Sequence, residues 1–108
     1  MSVVTGFVLM CPLAEDIRQV ERPPGSVAKI GQWLVERNFA APAEVADKYA
    51  SGSKHPQFYL YTAGYNHFPE DDFIEFFGAL EWQCPENVIL CLQPEEGATR
   101  IIRPRVAE

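Results

Sequence analysis

The stretch GYNHFPEDDFIEFFGALEW, residues 64–82, decides much of the fold. It begins at the end of an aromatic, alternating run, and Pro69 then opens a segment with helical spacing. A helix from Pro69 to about Trp82 brings four apolar side chains to one side, namely Phe73, Phe76, Phe77 and Leu80. We therefore predict a strand followed by a helix that packs this stripe into the core.

The other side of the predicted helix is acidic. Glu70, Asp71 and Asp72 fall in the first turn, where the helix dipole favours negative charge, and Glu75 follows one turn later. A solvated helix face accounts for these carboxylates. A contact surface accounts for them as well, because solvated faces usually mix both signs and this one has no Lys or Arg. On such a surface, the neighbouring Trp82 would be an anchor.

The charge is unevenly placed along the 108 residues. Residues 1–54 balance six acids with six bases, whereas residues 55–99 contain eight acids and neither Lys nor Arg, and the net charge is −6. This distribution predicts a negative face that attracts a basic protein and disfavours nucleic acid and membranes. We expect the late arginines to offset part of it across a terminal hairpin, namely Arg100, Arg103 and Arg105.

The rest of the chain predicts an α+β fold in one compact domain, residues 1–108. The expected order is β-α-α-α-β-α-β-β, with a four-stranded, mostly antiparallel or mixed sheet, helices mainly on one face and a C-terminal β-hairpin. Ser26 is the expected N-cap of the second helix. Besides the helix from Pro69, the predicted elements are strands at 3–11, 57–64, 87–93 and 98–104, and helices at 12–21, 27–39 and 42–52.

A catalytic alternative depends on the first two strands. Cys11 ends the first strand, and Asn66 and His67 follow the second. If those strands are parallel neighbours, their carboxyl ends share one edge, and a Cys11/His67 dyad oriented by Asn66 or Asp71 becomes feasible. Burial of Cys11 in the core is the simpler interpretation, because a Cys closing an apolar strand usually packs there. The sequence leaves open whether the protein is an enzyme and favours a function without catalysis.

No metal or cofactor is predicted. His67, Asp71 and Glu75 have the i, i+4, i+8 spacing of one helix face, but Pro69 begins the helix after the histidine and spoils the alignment. The three cysteines lack metal-site spacing and indicate reduced thiols. The N-terminal apolar run is too short for a membrane span, so we expect a cytoplasmic protein.

These observations favour a small acidic binding module, of the inhibitor or immunity type, that docks on a basic partner such as a nuclease or toxin. Its partner-binding residues would be Glu70, Asp71, Asp72, Glu75 and Trp82, and further acids would extend the field, namely Glu81, Glu86, Glu95 and Glu96. Two alternatives remain: a small enzyme or ligand-binding domain that uses Cys11 and His67, and a structural subunit with an apolar contact surface. The sequence leaves the oligomeric state open.

Overall fold

The computed structural model describes residues 4–12, 25–46, 51–52, 58–82 and 84–105. Two α-helices and a five-stranded antiparallel sheet form within these residues. The strands are β1 (Val4–Pro12), β2 (Ala43–Glu44), β3 (Phe58–Asn66), β4 (Ile89–Pro94) and β5 (Arg100–Ile102). The helices are α1 (Gly25–Glu36) and α2 (Glu70–Ala79), and a single 3₁₀ turn spans Pro85–Asn87.

The central strand of the sheet is β1. It pairs with β3 along its whole length, from Val4 opposite Asn66 to Pro12 opposite Phe58, and with β4 on its other side. The strand order is β2-β3-β1-β4-β5, so the two shortest strands lie at the edges of the described sheet. The last two strands form the predicted C-terminal hairpin.

The first two long strands, β1 and β3, are antiparallel, so the parallel arrangement on which the catalytic alternative depended does not occur. β3 starts at the end of the sheet where β1 finishes. A short strand that was not predicted, β2, pairs antiparallel with β3 and makes the sheet five-stranded rather than four-stranded.

Both helices pack on one face of the sheet, as predicted. Trp33 of α1 contacts Phe73 of α2, with ring centroids 5.2 Å apart, and stacks on Phe76 at 5.4 Å. Phe73 is fully buried and also meets Phe7 of β1 edge to face at 5.5 Å. Each large apolar side chain buried in this way contributes about 1.5–3 kcal/mol to stability. An aromatic cluster therefore joins the two layers.

The end of α1 differs from the prediction. The helix stops at Glu36 rather than continuing to Phe39, and Asn38 adopts the left-handed region with φ of 67°. The N–H of Phe39 then donates to the carbonyl of Leu34 and closes the helix end. Asparagine tolerates this conformation better than most residues, so it serves here as the stop signal.

Other predicted boundaries also change. Ser26 lies inside α1 rather than at its N-cap, and its hydroxyl donates to the carbonyl of Glu81. The helix expected at 42–52 is wrong where the structure describes it, because β2 occupies its start. The helix expected at 12–21 falls outside the described residues except for Pro12, which ends β1. Neither described helix combines the length and apolarity needed to cross a bilayer.

Candidate functional site

The predicted acidic surface is the outer face of α2. The inner face is anchored by Phe73 and Phe77, which are both fully buried. Asp71 and Glu75 on the outer face have side chains 90% and 74% exposed, and Asp72 is exposed beside them. The helix ends at Ala79, after which Leu80 is extended and donates its N–H to the carbonyl of Phe77. Helical spacing therefore separates a buried aromatic stripe from an exposed acidic one.

Glu70 is held differently from the other acids. Its side chain is only 20% exposed, and its Oε2 accepts a hydrogen bond of 3.0 Å from the hydroxyl of Thr5, a buried residue of β1. Its Oε1 lies 3.4 Å from the guanidinium of Arg100 in β5. Glu70 therefore links the first turn of α2 to two strands, and its role is structural in this arrangement.

Two of the late arginines pair with the acids of α2. Arg100 lies 3.0 Å from Asp71, and Arg105 lies 2.9 Å from Glu75. These two residues therefore offset acids of the negative segment, but the acids belong to α2 and the pairs do not cross the terminal hairpin as expected. Arg103 behaves differently, because it donates to the backbone carbonyl of Glu86. Asp72 makes no ion pair with any described residue.

These ion pairs leave the face open to competition. Every acid and arginine in them except Glu70 is largely exposed to solvent. Exposed pairs of this kind contribute between zero and about 1 kcal/mol each, since water and salt screen them. Breaking the contacts of Arg100 and Arg105 with these acids therefore costs little free energy.

Trp82 lies beyond the end of α2, against the core rather than projecting from it. Its ring tilts onto Phe77 at a centroid distance of 5.9 Å. Its indole Nε1 is buried without a hydrogen-bond partner in the part of the chain that the structure describes. Together with Glu81, Pro85 and Arg105, Trp82 lines an open cavity of about 570 Å³. Trp82 was expected on the acidic side of a helix that reaches it, whereas α2 ends at Ala79 and Trp82 forms one wall of a recess.

The structure does not bring the predicted catalytic pair together. Cys11 is fully buried near one end of β1, opposite Tyr59, whereas Val4 at the other end lies opposite Asn66. Seven residues of extended strand, about 23 Å, separate these two ends. His67 is exposed in a left-handed turn just after Asn66, with φ of 53°. Antiparallel pairing is the cause of this separation, since the dyad required the parallel arrangement.

Within the described residues, His, Cys, Asp and Glu form no group of three or more suited to a metal ion. His67 lies outside α2 and so does not align with Asp71 and Glu75. All three cysteines are described, and none forms a disulfide.

Sequence reasoning missed two contacts of the site. The bond from Thr5 to Glu70 joins residues 65 positions apart and has no local signal. The second contact, between Gly78 and Arg105, had a signal in the sequence. A glycine inside a helix lowers helix stability, so its presence there indicates a packing reason. The guanidinium of Arg105 lies across the space that a side chain at this position would occupy.

No known protein family, curated protein or solved structure matches this chain. The functional proposal therefore depends on the chemistry of the site.

Proposed function

We propose that the protein is a small binding module that docks the outer face of α2 on a basic protein. The exposure of the carboxylates on this face, above a fully buried aromatic stripe, is the observation that supports the proposal. Inhibitors or immunity-type neutralisers of nucleases and toxins are the proposed class, because their targets carry basic sites built for phosphates. Such a surface blocks a phosphate site by replacing the phosphates with carboxylates.

Rigidity supports this function. The outer face is fixed by Phe73 and Phe77 on the inner side and by the link from Thr5 to Glu70 at the first turn. A preorganised surface loses little conformational entropy when a partner binds. Asp71, Asp72 and Glu75 would therefore meet the partner in nearly the arrangement that they have here.

Weak internal pairing supports it as well. Because Arg100 and Arg105 hold their acids through exposed contacts, partner arginines or lysines can exchange with them. The cavity beside Trp82 would then receive an apolar side chain or the stem of a basic one, with Glu81 at its rim. Carboxylates would steer the encounter, and the recess would slow dissociation.

The alternative based on Cys11 and His67 receives no such support. The two strands are antiparallel, so the two residues lie at opposite ends of the sheet.

The experiment is an affinity capture from the native cells with Asp71, Asp72 and Glu75 all replaced by alanine in one variant. A matched control combines Glu36→Lys with Glu44→Ala, at two exposed acids outside the acidic segment, and so changes the net charge equally. The captured protein is then purified and titrated by calorimetry at low and high salt. We expect a basic partner whose affinity falls at least tenfold for the α2 variant and much less for the control.

The proposal fails if the two variants bind equally well, because net charge rather than the α2 face would then govern binding. It also fails if affinity is indifferent to salt, since a charge-steered interface weakens when counterions screen it.

A further inference from the structure

The sheet face opposite the helices is apolar. Its central row crosses four strands through Thr62, Val8, Cys91 and Ile101, as the pairing register requires. The next row contains Leu60, Met10 and Ile89, and Phe58 lies opposite Pro12 beyond it. We call this surface the open face. None of the residues that β1, β3, β4 and β5 direct toward it is charged, and the polar ones are Thr62, Asn66 and Gln93. At one end of the face, Glu86 and Arg103 line a recess beside Met10, Pro12 and Phe58.

Four of its side chains are well exposed: Val4 at 41%, Val8 at 37%, Phe58 at 38% and Ile101 at 65%. A sheet with one solvated face normally alternates apolar residues inside with polar residues outside. Here β1 alternates apolar with apolar, since Phe7 and Leu9 point to the core while Val8 and Met10 point away. Strands that are apolar on both sides are typical of sheets covered on both faces.

The charge distribution indicates what covers the open face. The chain carries a net charge of −6, and the acids of α2 lie in the layer on the other side of the sheet. Two copies that meet through their helices would bring like charges together, which opposes association. Two copies that meet through their open faces keep both acidic helices on the outside, with two sheets between them. The central rows of the open face carry no charge, so two such faces can meet there without complementary charges.

The geometry and area of the open face suit such a pair. Two sheets pack face to face about 10 Å apart, and a two-fold axis lets the same patch serve both copies. With about 3.3 Å per residue and about 4.8 Å between strands, the described sheet covers roughly 450 Å², so two copies would bury roughly 900 Å². This total exceeds most crystal contacts but is smaller than the roughly 1,200–2,000 Å² of stable complexes. A weak, reversible dimer fits that area.

We infer that two copies of this chain associate through their open faces, with Val8 and Ile101 at the contact. This inference is independent of the proposed function, because the acidic face of α2 lies on the other side of the molecule and stays exposed in the pair.

Sedimentation velocity from about 10 μM to about 1 mM, the range of weak dissociation constants, tests the inference. Ile101→Asp places a charge on the short edge strand, where it threatens the fold least. Val35→Asp is the matched control, because Val35 is 60% exposed on α1, away from the open face. We expect a concentration-dependent dimer in the wild type and the control, and a dissociation constant at least tenfold higher in Ile101→Asp. Thermal melts by circular dichroism verify that both variants fold.

Methyl NMR provides a second readout that needs no substitution. The signals of Val8 and Ile101 should shift with protein concentration, and that of Val35 should not. Added salt should preserve or strengthen the dimer, because it screens the repulsion between two negative chains. Salt weakens binding through α2, so the two surfaces are distinguishable.

A monomer at every concentration would overturn the inference, as would equal effects of Ile101→Asp and Val35→Asp. The inference would also be overturned if the Val8 methyl groups were shielded from solvent at every protein concentration, because another part of the same chain would then cover the open face.

Discussion

The side chain of Arg105 lies against Gly78: its Nε is 3.1 Å, and its Cζ 3.5 Å, from the position that a Cβ at residue 78 would occupy. The same guanidinium reaches Glu75 at 2.9 Å. Because Gly78 has no side chain, Arg105 can pass across the helix and pair with Glu75 on its acidic face.

Gly78→Ala should gain little stability, although alanine is favoured over glycine in a helix by about 1 kcal/mol. The new methyl group displaces Arg105 and breaks its pair with Glu75. Gly31→Ala in α1 is the matched control, because its Cβ meets only Ala41 at an ordinary 3.5 Å. We expect urea unfolding to show a gain of about 0.5–1 kcal/mol for Gly31→Ala and distinctly less for Gly78→Ala.

A double-mutant cycle distinguishes the ion pair from helix propensity. Glu75→Ala should matter less in the Gly78→Ala background than in the wild type, because the pair is already broken there. Equal effects in both backgrounds would show that Arg105 keeps its contact despite the methyl group.

Thr5→Val should destabilise the protein by roughly 1–2 kcal/mol, because it removes a buried hydrogen bond to the carboxylate of Glu70. Valine keeps the shape and suits a strand, so packing changes little. Thr62→Val on the open face is the control and should be neutral or slightly stabilising. Unfolding by urea in dilute solution measures both changes. A neutral Thr5→Val would mean that Arg100 alone holds Glu70.

Tyr65 should make stability fall at high pH. Burial raises the pKa of its phenol from the ordinary 10.0 to about 12, and the hydroxyl donates to the carbonyl of Ala40 at 2.8 Å. The unfolded chain loses this proton first, so stability is fully present below pH 10 and declines as the pH rises toward about 12.

Tyr65→Phe should remove the part of the stability loss at high pH that comes from this phenol. Comparing the unfolding free energies of the wild type and the variant at several pH values separates this part from the effects of other titrating groups. At neutral pH the variant should lose about 0.5–1.5 kcal/mol, the usual contribution of one hydrogen bond. Identical pH profiles of the wild type and the variant would contradict the burial of the phenol.

Thiol labelling should follow burial. Cys11 is fully buried, whereas Cys84 and Cys91 are half-buried, so an aromatic disulfide reagent should modify the latter two first. Cys11 should react only as the protein opens, and denaturant should accelerate its labelling far more than that of the others. Mass spectrometry of the digested protein identifies the order. Fast labelling of native Cys11 would revive a role for this thiol in chemistry.

Local patterns in the sequence predicted much of the fold. The apolar stripe of α2, the long strands β1 and β3, the hairpin and the α+β class each follow from periodicity over several residues. The two-residue strand β2 is too short to have such a pattern, and the sequence left the direction of β3 relative to β1 open. Asn38 was assigned to the helix because periodicity continues through it, whereas its left-handed conformation ends α1.

The candidate site was predictable in its exposed acids but not in their partners. Charge counting indicated that arginines would offset the acidic segment, but it could not tell that Arg103 would turn to a backbone carbonyl instead. Trp82 was expected beside the acids because helical spacing, continued to residue 82, places it on their side. Its packing on Phe77 depends on how the chain turns after Ala79, which sequence spacing does not specify.

The edge strands of the described sheet have two residues in β2 and three in β5, beside strands of nine residues in β3 and six in β4. Very short edge strands are one way in which proteins blunt an edge that would otherwise be a template for sheet extension and fibril growth. The protection on the β3 side is partial, because β2 pairs only with Tyr61 and Thr62 of that strand within the described residues. Conditions that loosen the chain around β2 should therefore expose the edge of β3 and make it a starting point for aggregation.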